Sequence, residues 1–258
     1  MTIKGAPLMQ AVFTITFLLV LAASAAADTD PGTVTRIQTA MAADLRGAGE
    51  IARDENRKPV ETLSFFGLRD DMRVLELLPG GGWYTKLLAP TLRDEGKLYL
   101  AIGTGNVAEN LLGEEGFDRV EVLDIGVDMV RDGPFRTSNL AAFDFGVRDL
   151  DMVLTFRNMH NFTPEGRASI DAAVFGALKK GGIFGVVDHT RRHMEPMTME
   201  NRRRADPVEI ILELQQAGFE FVAYSDLHYR PDDELRYEVG RKTVTGNTDR
   251  YTLMFRKP

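Results

Sequence analysis

Four histidines occur in the chain, and two of them, His160 and His189, fall in short polar clusters that each close an apolar run. Arg157, Asn158 and His160 follow Leu154-Thr-Phe156, while Asp188 and His189 follow Gly185-Val-Val187. Imidazole titrates near neutrality, so a histidine in such a place can take a proton from a hydroxyl or amine acting as a nucleophile. His160 and His189 could instead merely hydrogen-bond the loops that end the two runs. A third use is metal binding. His189 and His193, with Asp188, Glu195 and His160, offer ligands, and Met194, Met197 and Met199 add thioethers suited to copper. No established ligand spacing is matched, and metal is not expected.

A second candidate site is Pro79-Gly80-Gly81-Gly82-Trp83-Tyr84, which follows Val74-Leu-Glu76-Leu-Leu78. Glycines let backbone approach a ligand closely, and a following helix presents free amides to a negative group. As a dinucleotide fingerprint the segment is poor, because Thr85 stands where a third glycine belongs. Trp83 and Tyr84 either flank a ligand or pack the helix that follows. The stretch from His189 to Arg204 reads as a mobile lid with adaptable methionines. Its Arg191, Arg192, Arg202, Arg203 and Arg204 either steer an anionic substrate or form an exposed face.

The elements that must position these residues alternate. Thr33 can cap a helix with Val34, Ile37, Met41 and Leu45 on one face. The charged run Arg53 to Pro59 reads as a connection, and Glu61 to Gly67 as a short helix. Met72 to Leu78 is a nearly continuous apolar strand, as expected where both faces of a parallel sheet are covered. A helix carrying Leu87, Leu88 and Leu92 follows, with a kink expected at Pro90. Further strands are expected at Lys97 to Ile102, Val120 to Leu123, Asp151 to Phe156 and Gly182 to Val187. The helix before the last of these starts at Thr163-Pro164 and ends at Lys179-Lys180-Gly181. Asp206, Pro207 and Glu209 predict a capping-box start for a final helix. Phe219 to Tyr224 and Arg250 to Phe255 then pair as an antiparallel hairpin. The pattern predicts a doubly wound, mostly parallel α/β sheet of about seven strands. In such a sheet ligands bind beyond the carboxyl ends of the strands, where both polar clusters and the glycine turn fall.

Composition narrows the class. With 44 % hydrophobic and 27 % charged residues, the chain is neither disordered nor a membrane bundle. A net charge of −7 says nothing for nucleic acid as a partner, since binding to phosphates needs a basic face. No cysteine is present, which excludes disulfides and thiolate metal ligands. Lys4, the uncharged run Ala11 to Ala22, and Ala25-Ala-Ala27 before Asp28 match a cleaved secretory signal over residues 1–27, a run too short to span a bilayer. The expectation is an exported, periplasmic protein without stable membrane insertion. One domain over residues 28–258 would carry an N-terminal helical extension, 33–67.

Glu61-Thr-Leu-Ser-Phe-Phe-Gly67, Val74 to Thr85, Leu154-Thr-Phe-Arg-Asn-Met-His-Asn161, Gly185-Val-Val-Asp-His189 and Asp249 to Pro258 together carry a resemblance. The chain resembles a family of often exported proteins predicted to be class I S-adenosylmethionine-dependent methyltransferases. That resemblance implies the methyltransferase version of the Rossmann-like fold and S-adenosylmethionine as cofactor. It implies that Glu76 and Gly80 to Gly82 line the cofactor's amino-acid end, with Pro79, Trp83 and Tyr84 beside them, and that Asp144 lies near the adenine. Two departures stand out. Lys97 to Gly103 ends without the usual ribose-binding acid, leaving Asn106 or Glu109 to reach back, and Leu78 replaces the loop's first glycine. The expected function is methyl transfer to a small molecule. The alternatives are an exported binding protein of this fold without methyl transfer, or a metal-dependent enzyme using the His/Asp cluster.

Overall fold

The structure, a computed structural model, describes residues 1–2 and 29–258, so the expected export signal falls outside the described residues apart from its first two. Four short helices lead: α1 (Pro31–Met41), α2 (Ala48–Ile51), α3 (Asp54–Arg57) and α4 (Pro59–Phe65). Then come β1 (Arg73–Leu77), α5 (Thr85–Leu92), β2 (Lys97–Ala101), α6 (Gly105–Asn110) and β3 (Glu121–Leu123). A small ribbon of β4 (Met129–Val130) and β5 (Asn139–Leu140) precedes β6 (Leu150–Phe156) and α7 (Pro164–Ala177). The chain closes with β7 (Leu178–His189), α8 (Pro207–Gln216), β8 (Glu220–Ser225) and β9 (Arg250–Arg256).

Seven strands form one sheet in the order β3-β2-β1-β6-β7-β9-β8. β1 runs parallel to β2 and β6, and β6 parallel to β7, while β9 is antiparallel to both β7 and β8. The near-continuous apolar runs follow from burial on both faces, since successive side chains alternate sides. Leu75, Leu77, Val153 and Phe184 share one core with Ile170 and Val174 of α7 and Ile210 and Leu214 of α8. Val74, Leu98, Met152 and Leu154 share the other with Ile37 of α1, Leu63 of α4 and Leu87 and Leu88 of α5.

Several local expectations change. Asp30, not Thr33, caps α1: its Oδ1 accepts from the amides of Gly32 and Thr33, and Pro31 opens the first turn. The run from Arg53 to Pro59 is not a plain connection. It forms α3, and Lys58, at φ 40°, turns the chain into α4. α7 ends at Ala177, and Lys179 pairs with Asp151 along β7 instead of completing the helix. Asp206 does cap α8 through the Val208 amide, but Glu209 closes no box, because Arg191 binds it at 2.6 Å. β8 and β9 are joined by residues 226–249, a long crossing that brings the start of β9 to the carboxyl edge of β6 and β7.

Candidate active site

Strand register places the polar clusters side by side. Leu77 at the end of β1 faces Thr155 of β6, Phe156 faces Val187 of β7, and His189 faces Arg250 at the start of β9. The glycine turn, the Arg157–His160 segment, the Asp188–His189 pair and Arg250 therefore lie along one edge.

At its centre is Asp188, wholly buried. Its Oδ2 accepts from the His160 amide at 2.8 Å, and its Oδ1 accepts from His160 Nδ1–H at 2.6 Å and from the His189 amide at 2.7 Å. A carboxylate this close to Nδ1 holds a proton there, so that in the neutral ring the free lone pair is on His160 Nε2. His189 shares a hydrogen bond with Thr248 through Nδ1 at 2.9 Å, and its ring centroid is 5.7 Å from that of His160. Burial, reinforced by His160 and Arg250, pushes His189 well below the ordinary histidine value, so it is neutral.

The glycine turn is built differently. Leu78 adopts φ 50° where the expected glycine is missing, so a branched side chain bears the left-handed geometry. Asn158 holds the turn from across the sheet, its Nδ2 donating to the Leu78 carbonyl at 3.2 Å and the Phe156 carbonyl at 3.1 Å. Gly80 and Gly81 face open space, with no atom within 4 Å of where a Cβ would stand. Gly82 instead permits packing, because a Cβ there would lie 2.3 Å from Leu111 Cδ1. Glu76 is buried beside the turn, accepts from Thr85 Oγ1 at 2.7 Å, and is pushed up to about 7 by burial. Tyr84 stacks on Phe156 at 3.5 Å between centroids, and Trp83 Nε1–H donates to the Glu50 carbonyl at 3.0 Å. The Arg57 guanidinium lies 4.3 Å above the Trp83 ring. Both aromatic residues thus pack the helix start and also wall the turn.

Two cavities occupy this edge. One, of about 160 Å³, lies at the glycine turn against Glu76, Pro79, Gly80, Gly81, Trp83 and Tyr84. The other, about 410 Å³, lies over His160 and His189 and is closed by Val239, Gly240, Thr245, Gly246, Thr248 and Arg250. Arg53, Arg57 and Arg157 belong to the walls of both.

The structure brings together Arg157, Asn158, His160, Asp188 and His189, with Glu76 and Pro79 to Tyr84 at the adjoining turn. It does not bring Asp144 there: that side chain is largely exposed and bound to Arg148 at 2.6 Å. Nor does it supply an acid after β2, where Ile102 and Gly103 follow the strand. The metal alternative loses its ligands. All three hydrogen bonds of Asp188 come from N–H donors, His193 turns to Asp206 at 2.9 Å, and no group of three or more His, Asp or Glu is placed to hold a metal among the described residues. The stretch from His189 to Arg204 is not a loose lid. Arg204 is fully buried against Asp233 at 2.9 Å, Arg191 binds Glu209, and Asn201 is buried. Of its arginines, Arg203 faces the larger cavity. Sequence reading missed Arg53, Asn56 and Arg57, hidden in an apparent connection, and Thr248 and Arg250. The antiparallel placement of the last strand was the available signal for Arg250, since its start must lie at the carboxyl edge.

No family model matches the sequence, and no curated protein matches it. Solved structures do share its architecture. A SAM dependent methyltransferase from Aquifex aeolicus superposes with a TM-score of 0.56 at 17% identity, over 87% of this chain and 98% of that one. The 4+2 cyclase SpnF gives 0.54 at 16% identity, over 88% and 93% of the two chains. The glycopeptide N-methyltransferase MtfA, complexed with sinefungin, gives 0.53 at 17% identity, over 80% and 87%. The chain has the fold of class I methyltransferases, including the antiparallel C-terminal strands.

Proposed function

We propose that the protein transfers a methyl group from S-adenosylmethionine to a small molecule seated beside His160. The observation that carries this reading is the adjacency of the two cavities, whose common wall is Arg53, Arg57 and Arg157. A donor at the glycine turn and an acceptor over His160 would meet across that wall. The turn fits the cofactor's amino-acid end, because Gly80 and Gly81 leave open the space their side chains would fill and a buried carboxyl stands beside them. At about 160 Å³ the turn's cavity is below the roughly 300–1,000 Å³ of whole-ligand pockets, so only that end is accommodated there. Ile102 in place of an acid leaves the ribose without a carboxylate partner, and the grip falls to the turn.

S-adenosylmethionine, bound at the turn, would supply an electrophilic methyl to the acceptor's oxygen or nitrogen and leave as S-adenosylhomocysteine. The chain's own task is orientation and proton removal. Asp188 fixes the ring and tautomer of His160, and Nε2 receives the proton the acceptor gives up. Neutral His189 and Thr248 complete the wall without adding charge. Calorimetric titration with S-adenosylhomocysteine tests the reading: saturable binding, weakened by Gly80→Ala, is expected, and absence of binding at millimolar ligand overturns it.

A second reading, a protein of this fold that acts on an anion without a methyl donor, is favoured by Arg57 and Arg157 at the turn, since a sulfonium is itself cationic. It also suits an exported chain, because S-adenosylmethionine is charged and made in the cytoplasm. The same titration separates the two.

A further inference from the structure

The larger cavity carries positive charge that proton removal does not call for. Arg57 and Arg250 are 4% and 6% exposed, and Arg157 is half-buried between them. Arg53 stands at the rim, its Nε donating to the Gly49 carbonyl. Among the described residues, none of these four has a carboxylate within the 4.0 Å of an ion pair. Arg203, the fifth, is held by Glu238 at 2.5 Å. Arg57 Nη2, Arg157 Nε and Arg250 Nε are buried without any hydrogen-bond partner. Arg46 and Arg191 also carry an unpartnered Nε, but the other buried arginines each have a carboxylate: Arg46 has Asp54, Arg167 has Glu213, Arg191 has Glu209 and Arg204 has Asp233. Burial, and then repulsion from Arg157, lowers Arg57 to about 9 and Arg250 to about 10. Buried guanidiniums left unpaired are costly, and a fold keeps them together where a ligand completes them.

We infer that this cavity takes a small organic oxyanion bearing at least two negative charges, of the phosphate monoester or dicarboxylate class. The guanidinium fork matches both headgroups, and four unpaired cations exceed what one carboxylate neutralises. At about 410 Å³ the space is much larger than a bare phosphate needs, so the anionic group is part of a larger molecule. This names the class of methyl acceptor and rests on the proposed function only for the transfer step. Anion binding stands by itself.

The test is a calorimetric titration, with thermal melting, in a buffer free of phosphate and carboxylate. The probes are inorganic phosphate, succinate and acetate at matched ionic strength. Saturable binding of phosphate or succinate, with acetate much weaker, is expected, and the tighter dianion identifies the headgroup. Arg157→Gln and Arg250→Gln each lose affinity on the order of tenfold to a hundredfold, the worth of a charge-assisted hydrogen bond. Free Arg157→Gln melts no lower than wild type, because the substitution relieves repulsion, whereas a merely structural arginine would lower the melting point; for Arg250→Gln, which also loses the Nη1 bond to the Asn56 carbonyl, affinity alone is the readout. Arg256→Gln, at a half-buried residue paired with Glu220 away from the cavity, leaves binding unchanged. Dianions that bind no better than acetate, or variants that bind like wild type, overturn the inference. S-adenosylhomocysteine titrated into the same samples separates the two ideas. Its binding without dianion binding removes the anion site and spares methyl transfer; the reverse removes methyl transfer and spares the site.

Discussion

Replacing Asp188 by asparagine probes the centre of the site. The carboxylate accepts three hydrogen bonds, at 2.6, 2.7 and 2.8 Å, and every partner is an N–H. An amide has one acceptor oxygen. If that oxygen takes the Oδ1 position, it serves His160 Nδ1 and the His189 amide, and its NH2 then faces the His160 amide. If the amide is flipped, NH2 meets the His189 amide, and His160 must move its proton from Nδ1 to Nε2 to accept. One orientation or the other leaves a buried N–H without an acceptor, at roughly 1–3 kcal/mol, and the surviving bonds lose their charge assistance, for a total of about 2–4 kcal/mol. For a domain of this size that lowers the melting temperature by about 5–15 °C. Thermal melting reads the stability, and nitrogen-15 spectra of the imidazoles read the tautomer. Wild-type His160 is expected to show a protonated Nδ1 and a bare Nε2, and the variant a mixed or reversed pattern. A variant that melts within about a degree of wild type and keeps the Nδ1–H tautomer would refute the orienting role of Asp188.

Two further predictions concern the glycine turn. Burial raises the Glu76 carboxyl from 4.5 to about 7, so its favourable contribution is complete below about pH 4.5 and is lost as pH rises through 7, a span worth about 3 kcal/mol. Glu76→Gln should flatten the stability profile between about pH 5 and pH 8 and leave the variant the more stable at the upper end, as denaturant midpoints at the two pH values will show. Gly82→Ala, at φ 78° with Leu111 Cδ1 2.3 Å from the new methyl, should cost roughly 1–3 kcal/mol in urea denaturation. Gly80→Ala, at φ 58° but facing open space, should cost less stability while lowering affinity for S-adenosylhomocysteine. Equal stability losses in the two alanine variants would contradict the distinction between a packing glycine and a ligand-facing one.

The sheet was legible because burial on both faces writes itself into nearly continuous apolar runs, as in Val74 to Leu78, broken only by Glu76, and Met152 to Phe156, broken only by Thr155. The approach of His160 to Asp188 was legible only as far as adjacency, since two neighbouring parallel strands end together. That all three donors to Asp188 are N–H groups depends on the turn at Met159–Asn161, which periodicity does not encode. Asp144 misled because proximity in sequence to a strand says nothing of its partner, and Arg148, four residues on, captures it. The arginines escaped notice for the converse reason. A charged run such as Arg53 to Lys58 looks the same whether its carboxylate partners exist or not, and their absence becomes visible only when distant segments are packed together. His228 does part of that packing: its Nδ1 receives the Thr252 hydroxyl at 2.7 Å while Nε2–H donates to the Arg57 carbonyl at 3.1 Å.

That tie has a consequence for how the pocket comes into being. Arg53 and Arg57 belong to the leading helices, Thr248 and Arg250 to the closing strand, so the cavity walls are supplied by opposite extremities of the polypeptide. While the last strand is still being made, no binding site exists, and a ligand can reward only the finished molecule. Because the cations from the two extremities repel, an anion between them acts as a clasp. Occupancy should therefore hold leader and tail together, and a molecule trimmed at either extremity should lose its affinity for anions before it loses its sheet.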